Sequence, residues 1–393
     1  MRGWWLAFVA LLGAAPASAQ TFVTWNVGAA WDGAVEARAS QFEAAAAAIG
    51  ADVYVLQEVT SLIGAETIAG HFGIDNSYVV VSDFASAEEQ RQDDDKANVF
   101  FHLEVAVISR VPIISATELE FDRQDRTGPL SNRNSVTLNR AGLFVPATIY
   151  DRLSPATRRA LPFGRGALRV ELDGGIVIYA VHAKSDFNGF CADLRSAGDR
   201  LRQLERTSDT ESGLPLSDIE GIGATRSVLD RIIAAEEQTS FSREWIANAE
   251  KREAMFGAIA NAAKRDVAEG KTVMVMGDYN IAPNDPRSGT DLDEDCNPSR
   301  MCFSPVADTI CQGKDGLDES HFIFSSGIDG TPPMKALTTK LTETLTGTFS
   351  SAIDHIYVTG DSVDQFTDAV TFKDSKGGGF GSDHLPVVTT LVP

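Results

Sequence analysis

The sequence is poor in the residues that staple, reduce or anchor a protein. Its 393 residues include four cysteines, Cys191, Cys296, Cys302 and Cys311, and no two form a Cys-x-x-Cys pair. That spacing argues against a zinc knuckle or a dithiol redox motif. Basic residues are scarce, with 34 Lys and Arg against 55 Asp and Glu, a formal charge of −21. A broad basic surface that coats nucleic acid is excluded, because such binding rests on many phosphate contacts. A site that handles one phosphate through a few local arginines is not. Beyond residue 19 no apolar run approaches the ~20 residues that span a bilayer, so stable membrane insertion is not expected. There is no Pro/Ser-rich linker, no low-complexity tail and no internal repeat.

The N-terminus carries the exception. Arg2 precedes an apolar stretch at residues 4–12, and Ala17-Ser18-Ala19 is a small-residue cleavage signature. Residues 1–19 read as a signal peptide, with periplasmic or secreted localisation. Residues 20–393 read as one large domain. Export permits disulfides, and four cysteines allow three pairings. A monomer is expected.

Short apolar runs punctuate the chain as strands. They fall at residues 21–27, 52–57, 78–81, 105–109, 168–172, 176–181, 271–276, 353–358 and 386–392. Asp173-Gly174-Gly175 between two of them marks a hairpin. The alanine-rich residues 35–49 form a helix capped by Gly50, and residues 243–268 form another. A helical insertion lies near residues 187–250. A Cys-bearing loop lies near residues 284–326. Interleaved helices with at least one hairpin indicate an α/β fold of two mixed sheets covered by helices.

The polar residues that matter lie at the strand ends. The segments are Thr24-Trp25-Asn26-Val27-Gly28, Leu56-Gln57-Glu58-Val59, Val181-His182-Ala183-Lys184-Ser185, Met276-Gly277-Asp278-Tyr279-Asn280, Ala352-Ile353-Asp354-His355-Ile356 and Gly381-Ser382-Asp383-His384-Leu385-Pro386. Asn26, Glu58 and Asp383 offer hard oxygen atoms for Mg²⁺ or Mn²⁺. Singly, each reads equally as a cap or turn residue, but Glu58 ends an apolar strand where an unpaired carboxylate is costly. Asp278 and Asn280 flank a strand-to-loop turn, and could accept a proton and bind a phosphate oxygen. Asp354 suits the role of holding the His384 imidazole, and His182 is a second strand-end imidazole. The alternative for either histidine is a satisfied structural residue. Alternation sends His355 to the face opposite Asp354, which makes it structural. Arg165, between two glycines, is a phosphate contact or a solvated surface residue. Asp291, Asp293 and Asp295 hint at a structural Ca²⁺ loop, but lack the glycine and terminal glutamate of an EF-hand.

The ordered set resembles the endonuclease/exonuclease/phosphatase superfamily, the deoxyribonuclease I-like fold, over residues 21–388. Gly277-Asp278-Tyr279-Asn280 and Ser382-Asp383-His384-Leu385-Pro386 carry most of the likeness. The resemblance implies a four-layer sandwich of two packed mixed β-sheets flanked by helices. It implies a metal-dependent phosphoric ester hydrolase acting by in-line water attack, most simply a nuclease with a nucleic-acid substrate. Asn26, Glu58 and Asp383 would serve the metal. His384 with Asp354, and Asp278 with Asn280, would serve the water and the phosphate. His182 would aid the leaving group, paired with Glu104. Arg165 would contact the phosphate. The other enzymes of the superfamily, sphingomyelin or phospholipid phosphodiesterases and phosphomonoesterases, are the alternative, ahead of a non-enzymatic binding module. Gly28 stands where abasic-site enzymes carry Asp, and Trp31 and Trp245 do not form the aromatic hairpin a lipid enzyme would want.

Overall fold

The computed structural model describes residues 19–30, 32–74, 78–82, 84, 104–121, 130–131, 136–161, 165–183, 241–281, 320–327, 330–331, 333–346 and 352–392. The four cysteines, the Asp291–Asp295 run, the apolar stretch at residues 4–12 and residues 187–240 of the expected insertion lie outside the described residues.

Two β-sheets pack face to face. The first has six strands in the order β13-β14-β1-β2-β4-β3. Its strands are β1 (Gln20–Ala30), β2 (Val53–Val59), β3 (Tyr78–Val81), β4 (Glu104–Ser109), β13 (Val370–Thr371) and β14 (Val387–Leu391). The second has eight, in the order β11-β12-β10-β9-β8-β5-β7-β6. These are β5 (Ile113–Glu120), β6 (Leu130–Ser131), β7 (Thr137–Gly142), β8 (Ala167–Leu172), β9 (Ile176–His182), β10 (Thr272–Asp278), β11 (Met334–Ala336) and β12 (Asp354–Thr359). Both sheets are mixed. β1 runs parallel to β2 and antiparallel to β14, while β10 runs parallel to β9 and antiparallel to β12. Pairing β1 with β14 joins the two ends of the domain in one sheet, which is why motifs far apart in sequence can share a site.

Alternation assigns each strand one face inward and one outward. Phe22, Val53, Val55, Ile178, Met274, Met276, Ile356 and Val387 form the core between the sheets. The opposite faces of the same strands pack against helices. Val23, Trp25, Tyr54 and Leu56 meet α1 (Asp32–Ala37), α2 (Ala39–Ile49) and α3 (Leu62–His71). Tyr179, Val273, Val275 and Tyr357 meet α6 (Phe241–Ala268) and α7 (Ser320–Ser326). Two short helices, α4 (Ala147–Tyr150) and α5 (Pro155–Ala160), lie between β7 and β8 in sequence. The result is the helix–sheet–sheet–helix sandwich implied by the motifs. Each fully buried Val, Ile or Leu in these layers contributes roughly 1.5–3 kcal/mol.

Several elements differ from the sequence reading, which also lacked α3, α4, α5, β6, β7, β11 and β13. The helix expected over residues 35–49 is broken at Arg38, which has φ −109° and ψ 11°. Its C-terminus is as expected, with Gly50 in the left-handed conformation at φ +61°. The stretch expected as loop as far as Ser326 ends in α7, whose Ile323 and Phe324 are buried against Phe256 and Tyr357. The strand β5 was not anticipated, because its polar and apolar residues do not form a short continuous run.

Candidate active site

The site forms where the inward faces of the two sheets meet at one end of the sandwich. Register builds half of it. In the second sheet Asp278 of β10 pairs across to His182 of β9 and to Asp354 of β12. Alternation turns all three side chains inward, in step with Met276, Ala180 and Ile356. His355, one residue on, turns outward. There its Nε2–H donates to Ala352 O at 2.9 Å, and its ring meets those of His321 and Tyr279.

The first sheet supplies the other half through a defect. Asn26 faces inward by simple alternation with Phe22 and Thr24. Glu58 would face outward, with Tyr54 and Leu56. Instead the pairing of β2 with both its neighbours slips between Gln57 and Val59. Glu58 is the extra residue and sits at φ +64°, a left-handed conformation that is rare outside glycine. A β-bulge re-aims a side chain in this way, and strain of about 1–3 kcal/mol is typical of such positions. The Glu58 carboxylate thereby accepts from Asn26 Nδ2 at 3.0 Å and lies 4.0 Å from His182 Nε2.

The Asp278 carboxylate is the hub. One oxygen, Oδ2, accepts from Asn26 Nδ2 at 3.1 Å and lies 3.7 Å from His182 Nε2 and 3.8 Å from His384 Nε2. The other accepts the Asn280 backbone N–H at 2.8 Å. Asn280 has φ +55°, and its side-chain amide donates to Ala183 O at 3.0 Å. Arg165 Nη1 approaches the same carbonyl at 3.5 Å, so Arg165 and Asn280 flank the His182 end of the row. His384 Nδ1 lies 2.9 and 3.1 Å from the two oxygens of Asp354, which is fully buried. Asp354 is held in turn by the Thr344 hydroxyl, which accepts its backbone N–H at 3.1 Å. The structure brings together His182, Asp278, Asn280, Asp354, His384, Asn26 and Glu58, with Arg165 at the edge. Asp383 is exposed; its Oδ1 lies 3.9 Å from where a β-carbon on Gly28 would stand.

Burial sets the electrostatics. It is the largest influence on Asp278 and pushes its carboxyl up to about 7, helped by the Asp354 charge and opposed by His384 and the Asn26 hydrogen bond. Burial alone would lower His384, but the Asp354 and Asp278 carboxylates outweigh it and raise the imidazole to about 10. At neutral pH His384 is therefore a cation, and Asp278 lies near its titration point.

The donor chemistry suits a hard divalent cation. Glu58 and Asp383 carry oxygen ligands of the type such ions take, and Asp278, Asp354 and His384 form an adjacent group whose ligand atoms all lie within 4.8 Å of one another. Asn26 is placed differently from the expected oxygen ligand. Its Oδ1 accepts Gly28 N–H at 3.0 Å, and its nitrogen bridges Glu58 and Asp278. In this arrangement it keeps two carboxylates together. Glu104 is buried and accepts from Phe84 N–H at 2.9 Å and from the Ser82 hydroxyl.

The chain belongs to the Endonuclease/Exonuclease/phosphatase family. Its sequence matches that family over residues 23–384, which spans every candidate site residue from Asn26 to His384. No curated protein sequence matches it. Among solved structures it is similar to a 3′ phosphatase from Neisseria bound to product DNA hairpin, at 14% identity over 94% of this chain and 98% of that one, with a TM-score of 0.44. It is similar to an AP endonuclease from Archaeoglobus fulgidus, at 13% identity over 95% and 99% and a TM-score of 0.41. An AP endonuclease from Leishmania major gives 14% over 95% and 88%, with a TM-score of 0.44.

Thr344, Ser382 and Trp25 were not read from the sequence as parts of the site. Ser382 donates its hydroxyl to Asn26 O at 2.7 Å and accepts His384 N–H at 3.1 Å, so it ties the last motif to the first. Its place beside Asp383 and His384 was the available signal. Trp25 Nε1–H donates to His384 O at 3.3 Å from the outer layer. Nothing local marks that contact, since Trp25 reads as an ordinary core residue.

Proposed function

We propose that this chain is an exported, divalent-metal-dependent phosphodiesterase with nucleic acid as its substrate. The observation that carries the reading is the polar ring around Asp278 Oδ2, where two imidazoles and an amide converge within 4.0 Å and the same amide also binds the Glu58 carboxylate. Such a ring matches the needs of a phosphate centre, with a proton acceptor beside proton donors and one fixed cation. Mg²⁺ or Mn²⁺ held by Glu58 and Asp383 would supply charge neutralisation at the phosphate. Export is part of the proposal because residues 1–19 have the pattern of a signal peptide.

The protein's own groups divide the remaining work. Asp278, raised to about 7, takes the proton from the attacking water. His384, kept protonated by Asp354, donates to a non-bridging phosphate oxygen and balances its growing charge. His182 stands on the far side of Asp278 from His384 and is placed to give a proton to the leaving oxygen. Asn280 and Arg165 hold the phosphate at that edge. The net charge of −21 makes substrate binding local to these groups.

The test is hydrolysis of plasmid DNA, sphingomyelin and bis(p-nitrophenyl) phosphate in parallel by the mature protein, with and without Mg²⁺. DNA nicking that a chelator abolishes, and that His384→Ala loses while its circular dichroism is unchanged, supports the proposal. Activity on sphingomyelin alone would move the substrate to phospholipids. Unchanged turnover in His384→Ala would refute the role given to His384.

A further inference from the structure

We infer that Arg38 is a positioning residue that holds the cation-binding edge of the site in register from behind. This rests on the cation site proposed above. The starting observation is the broken helix. Residues 34–49 contain no glycine or proline, and alanine-rich sequence propagates helix well, so local propensity does not explain the break at Arg38. A tertiary contact does. Arg38 Nη1 donates to both Val27 O and Gly28 O, the latter at 3.1 Å. Those two carbonyls lie where the pairing of β1 with β2 slips, between Asn26 and Ala30. A buried carbonyl without a partner costs about 1–3 kcal/mol, and one guanidinium nitrogen serves two.

The same side chain reaches the last motif. Arg38 Nε donates to Gln41 Oε1 at 3.3 Å, and that oxygen stands only 2.1 Å from where a β-carbon on Gly381 would lie. Gly381 has φ +84°, a backbone conformation that favours glycine. The guanidinium lies 5.0 Å from the Phe42 ring centre, and Phe42 packs edge-on against Trp25, the residue that donates to His384 O. Arg38 is also within electrostatic reach of the Asp383 carboxylate. It therefore touches the β1 tip bearing Asn26 and Gly28 and, through Gln41 and its charge, reaches the turn bearing Asp383. Its other terminal nitrogen, Nη2, is shielded from solvent, so Arg38 acts through these segments and not by touching substrate.

Positioning and simple electrostatics predict opposite signs, which makes the inference testable. Removing a positive charge near a cation site would tighten cation binding by Coulomb's law. Removing a residue that shapes the ligand set weakens it, by roughly 10–100-fold for supporting residues around metal sites. The experiment is Mn²⁺ binding to chelator-stripped protein, followed by electron paramagnetic resonance, for wild type, Arg38→Met, Arg38→Lys and Glu58→Gln. The expected result is a Kd raised about 10–100-fold in Arg38→Met and partly restored in Arg38→Lys. A Kd equal to wild type or lower in Arg38→Met overturns the proposal. Where Arg38→Met fails to fold, Arg38→Lys decides alone, and a wild-type Kd overturns it. Glu58→Gln separates the two layers of argument. If it binds Mn²⁺ as wild type does, the cation site itself is misplaced and this inference falls with it; if it alone weakens binding, only the role of Arg38 fails.

Discussion

Gly277→Ala is the substitution whose consequences can be followed furthest from geometry to turnover. Gly277 has φ +154°, and a β-carbon there would lie 1.9 Å from Val181 O, a backbone atom of the neighbouring strand. Contacts of that kind below 3.0 Å are essentially never seen. β9 and β10 would have to separate by about 1 Å at this point, and a 1 Å misplacement of reacting groups is worth about 100-fold in rate. The displaced residues are the two that precede His182 and Asp278, so the 3.7 Å approach of those side chains would be lost first. Backbone strain of about 1–3 kcal/mol adds to about 1–3 kcal/mol for overpacking, giving a loss of about 2–6 kcal/mol. The control is Gly174→Ala at the hairpin at the other end of β9. Gly174 also has positive φ, +96°, but nothing lies within 4 Å of its would-be β-carbon. It should lose only about 1–2 kcal/mol and keep its activity. The assay pairs urea unfolding, followed by circular dichroism, with kcat on bis(p-nitrophenyl) phosphate. If Gly277→Ala retains kcat within twofold and stability within about 1 kcal/mol, close strand approach does not set the site, and the reasoning is wrong.

Two further substitutions probe different layers. Asp354→Asn removes the carboxylate that does most to offset burial at His384, so the imidazole loses affinity for its proton and the alkaline limb of the pH–rate profile should move to lower pH. kcat should fall roughly 10³–10⁴-fold, as for other carboxylate–imidazole pairs, and an unmoved alkaline limb would speak against the pairing. Asp266→Asn tests how α6 is fastened to the second sheet. Asp266 is buried and accepts from Arg169 Nε at 2.9 Å and the Tyr179 hydroxyl at 2.7 Å. Burial raises its pKa, but the Arg169 and Tyr179 hydrogen bonds and the Arg169 charge outweigh that and hold it below the ordinary carboxylate value. Breaking such a pair costs about 3–5 kcal/mol at neutral pH. A depressed carboxylate contributes stability above its unfolded pKa, near 3.9, and loses it as pH falls through the folded value. The gap between wild type and Asp266→Asn should accordingly close below about pH 4 in urea titrations; a gap that stays constant would exclude this carboxylate as its source.

Much of this protein is written in short-range pattern. Alternation within a strand is local, so it places Asn26 inward, Asp354 inward and His355 outward without knowledge of partners. Gly50 caps its helix and Gly174-Gly175 turns its hairpin for equally local reasons. The motif residues themselves were legible because a carboxylate or imidazole at the end of an apolar strand needs a partner. What no local pattern contains is the pairing of strands that lie far apart in the chain. That pairing aligns His182, Asp278 and Asp354 in one row. It also creates the bulge that turns Glu58 from the outer face to the inner one, and it leaves the carbonyls that draw Arg38 out of a continuous helix. Local pattern is enough to mark the polar residues of the candidate site and the strands they end. How those residues meet depends on contacts distant in the chain, because register, bulge and helix break are each set by satisfying backbone groups across strands and layers.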